Sequence, residues 1–234
     1  MPVAAQRRPA NRLLAALPPG TYRRMSRTLE HVHLQFGQVL NKAGDALQHV
    51  YFPLDSMVSL LAEVDDGDTL EVGLVGGEGL TGMPLALGNP TSPVRELVQG
   101  TGSALRMPAK RFLAELGRTP KLRRLVDRCI FVAMSTAMQI AACNKAHVLE
   151  ERLARWLLMV RDRLGSNEFY LTQDFLARML GVSRAGVTEA AGVLQSRKLI
   201  DYSRGKIKLL DAEGLRPAAC TCYEVIRKLE NGSR

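Results

Sequence analysis

Residues 171–210 read LTQDFLARMLGVSRAGVTEAAGVLQSRKLIDYSRGKIKLL, and this stretch decides the fold of the C-terminal part of the chain. It predicts a helix, a tight turn, a second helix and a two-stranded wing. Thr172 and Ser183 are each placed to cap a helix, because a hydroxyl accepts hydrogen bonds from the free N–H groups of a first turn. Leu171 and Leu176 fit a hydrophobic staple around the first cap, and the second helix repeats the device.

The spacing within this stretch is that of a helix-turn-helix. Ala177 is small where the two helices must cross closely, Gly181 lies at the turn, and Val187 is an apolar anchor on the second helix. In such a unit the second helix enters the major groove of DNA. An ordinary αα-hairpin is the alternative, but it would not be expected to combine this spacing with two caps and a wing. The stretch therefore predicts DNA binding.

The charge of the chain is unevenly distributed along its 234 residues. The formal net charge is +9, of which residues 1–118 carry +1, residues 119–146 carry +4 and residues 147–234 carry +4. The basic excess belongs to the C-terminal half, as expected if that half meets phosphates. A solvated basic face would explain the charge equally well on its own.

The composition is that of a folded protein, with 46% hydrophobic and 24% charged residues. We find no run of about 18 apolar residues, so the sequence predicts no membrane span. The apolar stretch 13–17 is too short for a secretory signal, and we expect a cytoplasmic protein. No nucleophile–base pair, P-loop or metal-ligand spacing is visible, so an enzyme is not predicted.

The four cysteines leave two interpretations open. Cys129 and Cys143 fall within a helical pattern, whereas Cys220 and Cys222 lie near the C-terminus. Without a C-x₂-C pair, spread thiols in a reducing cell are most simply free and partly buried. A metal or cluster site is the sharper alternative.

The N-terminal half changes to a period of two. After two short helices within residues 10–29, alternating strands follow from His33 to Met107, and a short helix runs from Pro108 to Leu116. The segment 65–68, DDGD, predicts a hairpin turn between two of the strands. Many short strands with Gly and Pro turns predict an antiparallel roll or barrel, and hence an α+β chain.

These features resemble the Crp/Fnr superfamily, the cyclic-AMP receptor and Fnr-type transcription regulators. The resemblance is carried by FGQVL at 36–40, AGD at 43–45, YF at 51–52, GGEG at 76–79 with Gly82, and the helix-turn-helix. It implies a cyclic-nucleotide-binding-like β-roll sensor domain over residues 1–118, a dimerisation helix over 119–146 and a winged helix-turn-helix domain over 147–234. It further implies a homodimer that binds double-stranded DNA and has RNA polymerase as a partner.

The effector pocket departs from the family pattern. Members that bind cyclic AMP usually carry Gly-Glu-Leu and, about ten residues later, Arg-Ser or Arg-Thr; here the corresponding segments are 82–85 and 91–95. Met83 replaces the glutamate that would accept the ribose hydroxyl, and Pro84 removes a backbone donor. We therefore expect no cofactor, and a roll that is a scaffold or answers another signal. The candidate effector positions are Glu78, Gly82, Met83, Ser92 and Arg95.

Two other sensing chemistries find little support. Residues 1–30 contain no cysteine, so an N-terminal iron–sulfur sensor is not predicted. Haem requires an axial ligand such as histidine. Nothing in the sequence distinguishes any of the four histidines for that role: His31, His33, His49 and His147.

A long helix is predicted to start at Thr119-Pro120 and run past Ala142. Two adjacent apolar stripes indicate burial on both sides, one against its own roll and one against a partner. A single buried helix in a monomer is the alternative. The stripes are Leu122, Leu125, Cys129, Val132, Thr136, Gln139 and Cys143, and Val126, Ile130, Ala133, Ala137 and Ile140.

The recognition helix keeps only part of the family motif Arg-Glu-x-x-x-Arg. Arg184 matches its first residue, whereas Ala185 and Glu189 depart from it, so the usual family target cannot be assumed. Arg184 suits guanine O6 and N7, and Glu189 suits cytosine N4. The candidate DNA-binding residues are Thr172, Gln173, Ser183, Arg184, Ala185, Thr188, Glu189, Arg197, Arg204, Lys206 and Lys208.

The sequence thus predicts a dimeric DNA-binding transcription factor whose roll transmits a signal to the winged helix-turn-helix. The alternative is a cyclic-nucleotide-responsive regulatory subunit that acts through protein partners. The signal, the target genes and the direction of regulation stay open.

Overall fold

Two antiparallel sheets form the N-terminal roll, as the alternating pattern predicts. The computed structural model describes residues 10–64 and 69–232. One sheet has the strand order β1-β7-β3 and the other β2-β6-β4-β5. The strands are β1 Glu30–Leu34, β2 Val39–Asn41, β3 His49–Pro53, β4 Met57–Glu63, β5 Thr69–Val75, β6 Arg95–Gly100 and β7 Gly102–Pro108. The predicted turn at 65–68 lies outside the described residues, but β4 and β5 pair antiparallel on either side of it.

Short helices close the roll around an aromatic core. Phe52 of β3 and Phe112 pack edge to face with ring centroids 6.4 Å apart, and both side chains are fully buried. Asn11 caps the first helix and donates to the carbonyls of Pro53 and Gly79, which ties the helix to the strands. The helices are α1 Arg12–Ala15, α2 Pro19–Met25 and α3 Ala109–Arg118, with a 3₁₀ turn over Met83–Leu87.

The long helix α4, Pro120–Ala146, has one packed face and one exposed apolar face. Its buried residues combine members of both predicted stripes: Leu122, Val126, Thr136, Ile140 and Cys143. The exposed face is a third stripe that the sequence analysis did not identify. It contains Phe131, Met134 and Met138, which are 45–63% exposed. We call these three residues the α4 stripe.

By length and composition alone, α4 is long and apolar enough to cross a membrane. Its most apolar window has a mean hydropathy of 1.4. This property is not visible as an uninterrupted apolar run, because polar residues interrupt the apolar stretch of α4. The packed side of the helix nevertheless lies against β5, α3 and the last helix of the chain.

The C-terminal part begins with α5, Leu149–Leu164, whose Trp156 is buried. The wing has three strands rather than the predicted two. Glu168–Tyr170 pairs antiparallel with Lys206–Leu209, on the edge opposite Ile200–Ser203. This third strand is too short to show a period of two. The remaining elements are β8 Glu168–Tyr170, α6 Gln173–Leu180, α7 Arg184–Ser196, β9 Ile200–Ser203, β10 Lys206–Leu209, α8 Ala212–Leu215 and α9 Cys222–Asn231.

One hydrophobic core runs from the roll into the C-terminal part. Met57, Leu61 and Leu74 of the roll belong to the same buried cluster as α5, α6, α7 and the wing. Phe36 of the roll also lies 5.5 Å from the ring of Phe175 in α6. The roll therefore contacts the helix-turn-helix directly, in addition to its covalent link through α4.

Three of the four cysteines lie together, which the sequence spacing did not reveal. Cys143, Cys220 and Cys222 form a small buried cluster of their own. His147 joins them, and we call these four residues the hinge cluster because α4 ends at this point. Cys129 lies elsewhere, with its thiol 3.9 Å from the carbonyl of Glu78.

Candidate DNA-binding surface

The two helices α6 and α7 are capped as their sequence predicts. The Thr172 hydroxyl accepts from the N–H of Phe175 at 3.2 Å, and the Ser183 hydroxyl accepts from the N–H of Gly186 at 3.2 Å. These bonds satisfy part of each free first turn and fix where each helix begins. The two N-termini carry the positive ends of the helix dipoles, which suit phosphate contacts.

The turn between the helices requires glycine. Gly181 has φ +63°, in the left-handed region, and its N–H bonds back to the end of α6. A Cβ at this position would also lie 2.8 Å from Leu70 of the roll. Ala177 is buried at the crossing of the two helices, and Val187 is fully buried as the anchor of α7. The packing therefore fixes α7 relative to α6 and leaves its other face in solvent.

That outer face of α7 carries the predicted reading residues. Arg184, Ala185, Thr188 and Glu189 are all exposed. The Arg184 guanidinium lies 3.3 Å from the Oε1 of Gln173, and this contact draws the side chain towards the start of α6. The hydroxyl of Thr188 donates to a backbone carbonyl of its own helix, so only its methyl group and a lone pair face outward.

The wing presents its two lysines on one face of β10. Ile207 of β10 is buried, whereas Lys206 and Lys208 on the opposite face are exposed. Each ammonium lies about 3 Å from the carboxylate of Glu168 on β8. Hydrogen bonds from the two lysines hold the pKa of Glu168 below its usual range. Because the pairs are exposed, DNA phosphates can replace Glu168 at little cost.

The remaining candidates lie at the edges of this surface. Arg204 has φ +49° at the tip of the wing, and Arg197 follows the last turn of α7; both are exposed. Sequence reasoning missed Arg178, an exposed cation on α6 that faces solvent on the side of the unit away from the core. The signal is its position as the one charged residue between the apolar pairs Leu176–Ala177 and Met179–Leu180.

The wing is anchored to the helices by a tyrosine. The Tyr202 hydroxyl donates to the carbonyl of Leu171 at 2.8 Å. Burial raises the pKa of Tyr202 to about 12, so the phenol stays protonated and keeps this bond. The wing and α6 therefore present their cations on a single rigid frame.

The five candidate effector positions do not converge. Glu78 and Met83 line a cavity of about 210 Å³ between β5, the 76–80 loop and α4. Arg95 lies outside this cavity and pairs with Glu63 at 3.0 Å on the surface. Ser92 donates to the carbonyl of Val94 in its own loop.

The fifth position, Gly82, is engaged by a buried glutamate of β6. Its N–H donates to Glu96 at 3.1 Å. The buried carboxylate of Glu96 also accepts from Asn41. Burial raises the pKa of Glu96.

The cavity is mainly apolar, and its one buried guanidinium is already paired. Arg163 of α5 lies 3.2 Å from Glu78, and it also forms an ion pair with Glu230 of α9. Cys129 and Thr136 of α4 complete the wall that faces these groups. The cavity therefore lies where the roll, α4 and the C-terminal part meet, so its contents can influence all three.

The histidines show no common site for haem. His31 and His33 are exposed on β1, and His49 lies on a different strand. Burial lowers the pKa of His49. His147 belongs to the hinge cluster instead.

Comparison with known proteins matches this geometry. Residues 151–218 match the family model of the Crp-like helix-turn-helix domain. A search of curated protein sequences gives no match. Among solved structures, a Crp/Fnr-family protein from Eubacterium rectale has a TM-score of 0.69 at 18% identity, with 89% of this chain and 98% of that chain covered.

Two further structures agree. The c-di-GMP responsive global regulator CLP from Xanthomonas campestris has a TM-score of 0.67 at 19% identity, covering 82% of this chain and 99% of its own. The Crp/Fnr-family regulator TTHA1359 from Thermus thermophilus has a TM-score of 0.66 at 23% identity, covering 81% and 98%.

The fold and the surface together define the class: a DNA-binding transcription regulator with a β-roll, a long central helix and a C-terminal helix-turn-helix domain. The resemblance to the Crp/Fnr regulators is confirmed, through the Crp-like domain at 151–218 and the fold of the whole chain.

Proposed function

We propose that this chain is a homodimeric transcription regulator that binds duplex DNA with α7 and the wing, and that RNA polymerase is its partner at promoters. The observation that carries the proposal is the capped helix-turn-helix with an exposed face of Arg184, Thr188 and Glu189. We assign residues 1–118 to sensing, 119–146 to dimerisation and 147–234 to DNA binding. The protein acts in the cytoplasm and is not an enzyme.

The α4 stripe supports the homodimer. Phe131, Met134 and Met138 recur at spacings of three and four, and Ala141 and Lys145 continue the series. This is the spacing of a coiled-coil seam, which needs a second apolar helix to cover it. A two-fold pair of α4 helices supplies that cover and presents two recognition helices to two half-sites.

The charges around the cavity argue against cyclic AMP as the signal. A cyclic phosphate requires convergent donors and a cation in the pocket, but the buried Arg163 is paired with two carboxylates and Arg95 is absent from the lining, which leaves Arg12 and Arg128 as its other cations. We propose that the roll responds to a different signal. The c-di-GMP response of the Xanthomonas relative shows that a protein of this fold can respond to a different nucleotide.

Titration calorimetry of the purified protein with cyclic AMP and cyclic GMP should show no heat of binding at micromolar concentration. The reason is the paired state of Arg163 and the replacement of the expected glutamate by Met83. Micromolar binding of either nucleotide would overturn this assignment and favour the alternative of a cyclic-nucleotide-responsive subunit.

Arg184→Ala should weaken binding to the preferred duplex by about 1–3 kcal/mol, because one base pair loses its bidentate reader. The target is first selected from a random duplex pool, and affinities are then measured by fluorescence anisotropy. Arg118→Ala is a matched control, since Arg118 is an exposed arginine on α3 and lies far from α7 in the chain.

Lys206→Ala combined with Lys208→Ala should act differently from the α7 variant. Loss of two phosphate contacts should reduce the slope of log K against log salt by about 0.9 per contact and weaken all duplexes alike. DNA binding that is independent of salt, or that persists after Arg184→Ala at full affinity and specificity, would contradict the proposed surface.

A further inference from the structure

The hinge cluster brings three thiols and one imidazole to a single point. Cys143 lies in the last turn of α4, His147 follows the end of that helix, and Cys220 and Cys222 flank the start of α9. One ligand atom from each residue lies within 4.8 Å of the other three. The Cys143 and Cys220 sulfurs are 3.4 Å apart, and the Cys222 sulfur is 3.6 Å from Nδ1 of His147.

These separations suit one four-coordinate ion. Bond lengths of about 2.3 Å to sulfur and about 2.0 Å to nitrogen in a tetrahedron place neighbouring ligand atoms about 3.5–3.8 Å apart. A three-cysteine, one-histidine set is a common donor set for structural zinc. An iron–sulfur cluster fits less well, because it contains more than one iron atom and thiolates bound to different iron atoms lie farther apart than these ligand atoms.

The surroundings of the cluster match an anionic metal centre. Nε2 of Gln139 donates to the Cys222 sulfur at 3.1 Å, the kind of bond that orients a metal thiolate. Arg152 and Arg155 of α5 are both buried, and the Nε atom of each lacks a hydrogen-bond acceptor among the described residues. Three thiolates and one divalent ion carry a net charge of −1, which a buried guanidinium can balance.

Arg155 is electrostatically coupled to the thiols. Its guanidinium is buried on α5 and acts on both Cys143 and Cys220, so a positive charge lies beside groups that must become anions. An ordinary apolar cysteine cluster would have no need of a buried cation beside it.

We propose that the hinge cluster binds one divalent ion of the zinc class, with one ligand from each of its four residues. On binding, the three thiols lose their protons to solvent, His147 binds through a neutral ring nitrogen, and no electron is transferred. The ion links the end of the dimerisation helix to the closing helix of the DNA-binding domain. It thereby holds the orientation of the two recognition helices.

The test is metal content and cobalt spectroscopy on the full chain. Protein purified without chelator should contain one equivalent of zinc by mass spectrometry. After replacement with Co²⁺, it should show thiolate-to-cobalt charge transfer and the intense visible bands of a tetrahedral site. Cys143→Ser and His147→Asn should each lose the ion or weaken its affinity by at least about 10-fold. Cys129→Ser, outside the cluster, should bind it like the wild type.

A positioning role for Gln139 gives a finer test. Gln139→Leu keeps all four ligands but removes the N–H donated to Cys222, so it should lower zinc affinity by about 10–100-fold in a competition titration. Its cobalt complex should remain tetrahedral.

Three results would overturn the proposal. One is wild-type protein that takes up neither zinc nor cobalt with its thiols reduced. Another is a Cys143–Cys220 disulfide in protein purified under reducing conditions. The third is an iron–sulfur absorption spectrum after anaerobic loading with iron and sulfide, together with displacement of zinc. None of these readouts depends on DNA binding, so the metal site and the DNA-binding proposal fail or succeed separately.

Discussion

Met134→Arg should convert the dimer to monomers and weaken binding to a duplex with two half-sites by about 10²–10⁴-fold, the gain that linkage of two binding units supplies. Met134 is half exposed at the centre of the α4 stripe. In a two-fold pair it faces its own copy across an apolar seam. An arginine there places two guanidinium groups in a desolvated seam without partners, which is strongly unfavourable.

The mass is measured by light scattering and the affinity by anisotropy, with duplexes that carry one or two half-sites. The single half-site should bind wild type and variant equally, because the α7 surface is untouched. Val39→Arg is the control, since Val39 is an exposed apolar residue on β2 of the roll, which packs against β6 rather than α4. A variant that remains dimeric would contradict α4 pairing.

A vesicle experiment separates pairing of α4 from membrane insertion. Although α4 has the length and mean hydropathy of a spanning helix, its inner face packs against β5, α3 and α9. Removing that packing to expose the whole helix to lipid would leave the roll core open. Wild-type protein should therefore remain in the bottom fraction after flotation with vesicles, and recovery with the lipid at the top of the gradient would favour insertion.

The helix-turn-helix could be predicted from sequence because its signals are local. Thr172, Gly181 and Ser183 each act within four residues of their own position, through a cap bond or a positive φ. Such effects depend little on the rest of the fold. The third strand of the wing was missed because Glu168–Tyr170 is defined by its partner rather than by its own pattern.

The rotation of α4 about its own axis could not be predicted, because both of its faces are apolar. Periodicity shows that a helix is buried on two sides but not which stripe meets which neighbour. The α9 helix decides this, since it covers the side that carries Cys143 and leaves Met134 and Met138 outside. The hinge cluster was missed for a similar reason, because 77 residues separate Cys143 from Cys220.

Glu71 is the clearest failure of the alternation rule. On β5, Leu70, Val72 and Leu74 lie on one face of the strand. If that face were the buried one, alternation would place Glu71 in solvent. Instead both faces of the strand are covered, one by the roll and the other by α4, α5 and α6. Glu71 is 4% exposed and accepts from Nε1 of Trp156 at 2.7 Å.

This buried carboxyl should make the protein less stable as the pH rises. Burial raises the pKa of Glu71 from 4.5 to about 7, although hydrogen bonds from Ser59 and Trp156 oppose the shift. Between pH 4.5 and 7 the folded protein therefore holds a proton that the unfolded chain has released. The stabilisation is complete below the unfolded value and is lost as the pH rises through about 7, for a total of about 3 kcal/mol.

Glu71→Gln should abolish this pH dependence. The amide oxygen can accept from Trp156, its NH₂ group can donate to Ser59, and it cannot ionise. In urea unfolding, the free energy of unfolding of the variant relative to wild type should increase by about 3 kcal/mol from pH 5 to pH 8. Glu63→Gln, an exposed carboxylate on β4, should follow the wild type at every pH. Glu71 joins the roll to α5 through the hydrogen bond from Trp156. A stability difference between Glu71→Gln and wild type that stays constant with pH would contradict the prediction. It would mean that the carboxyl of Glu71 is already ionised in the folded protein, because the charges of Arg155 and Arg163 outweigh its burial.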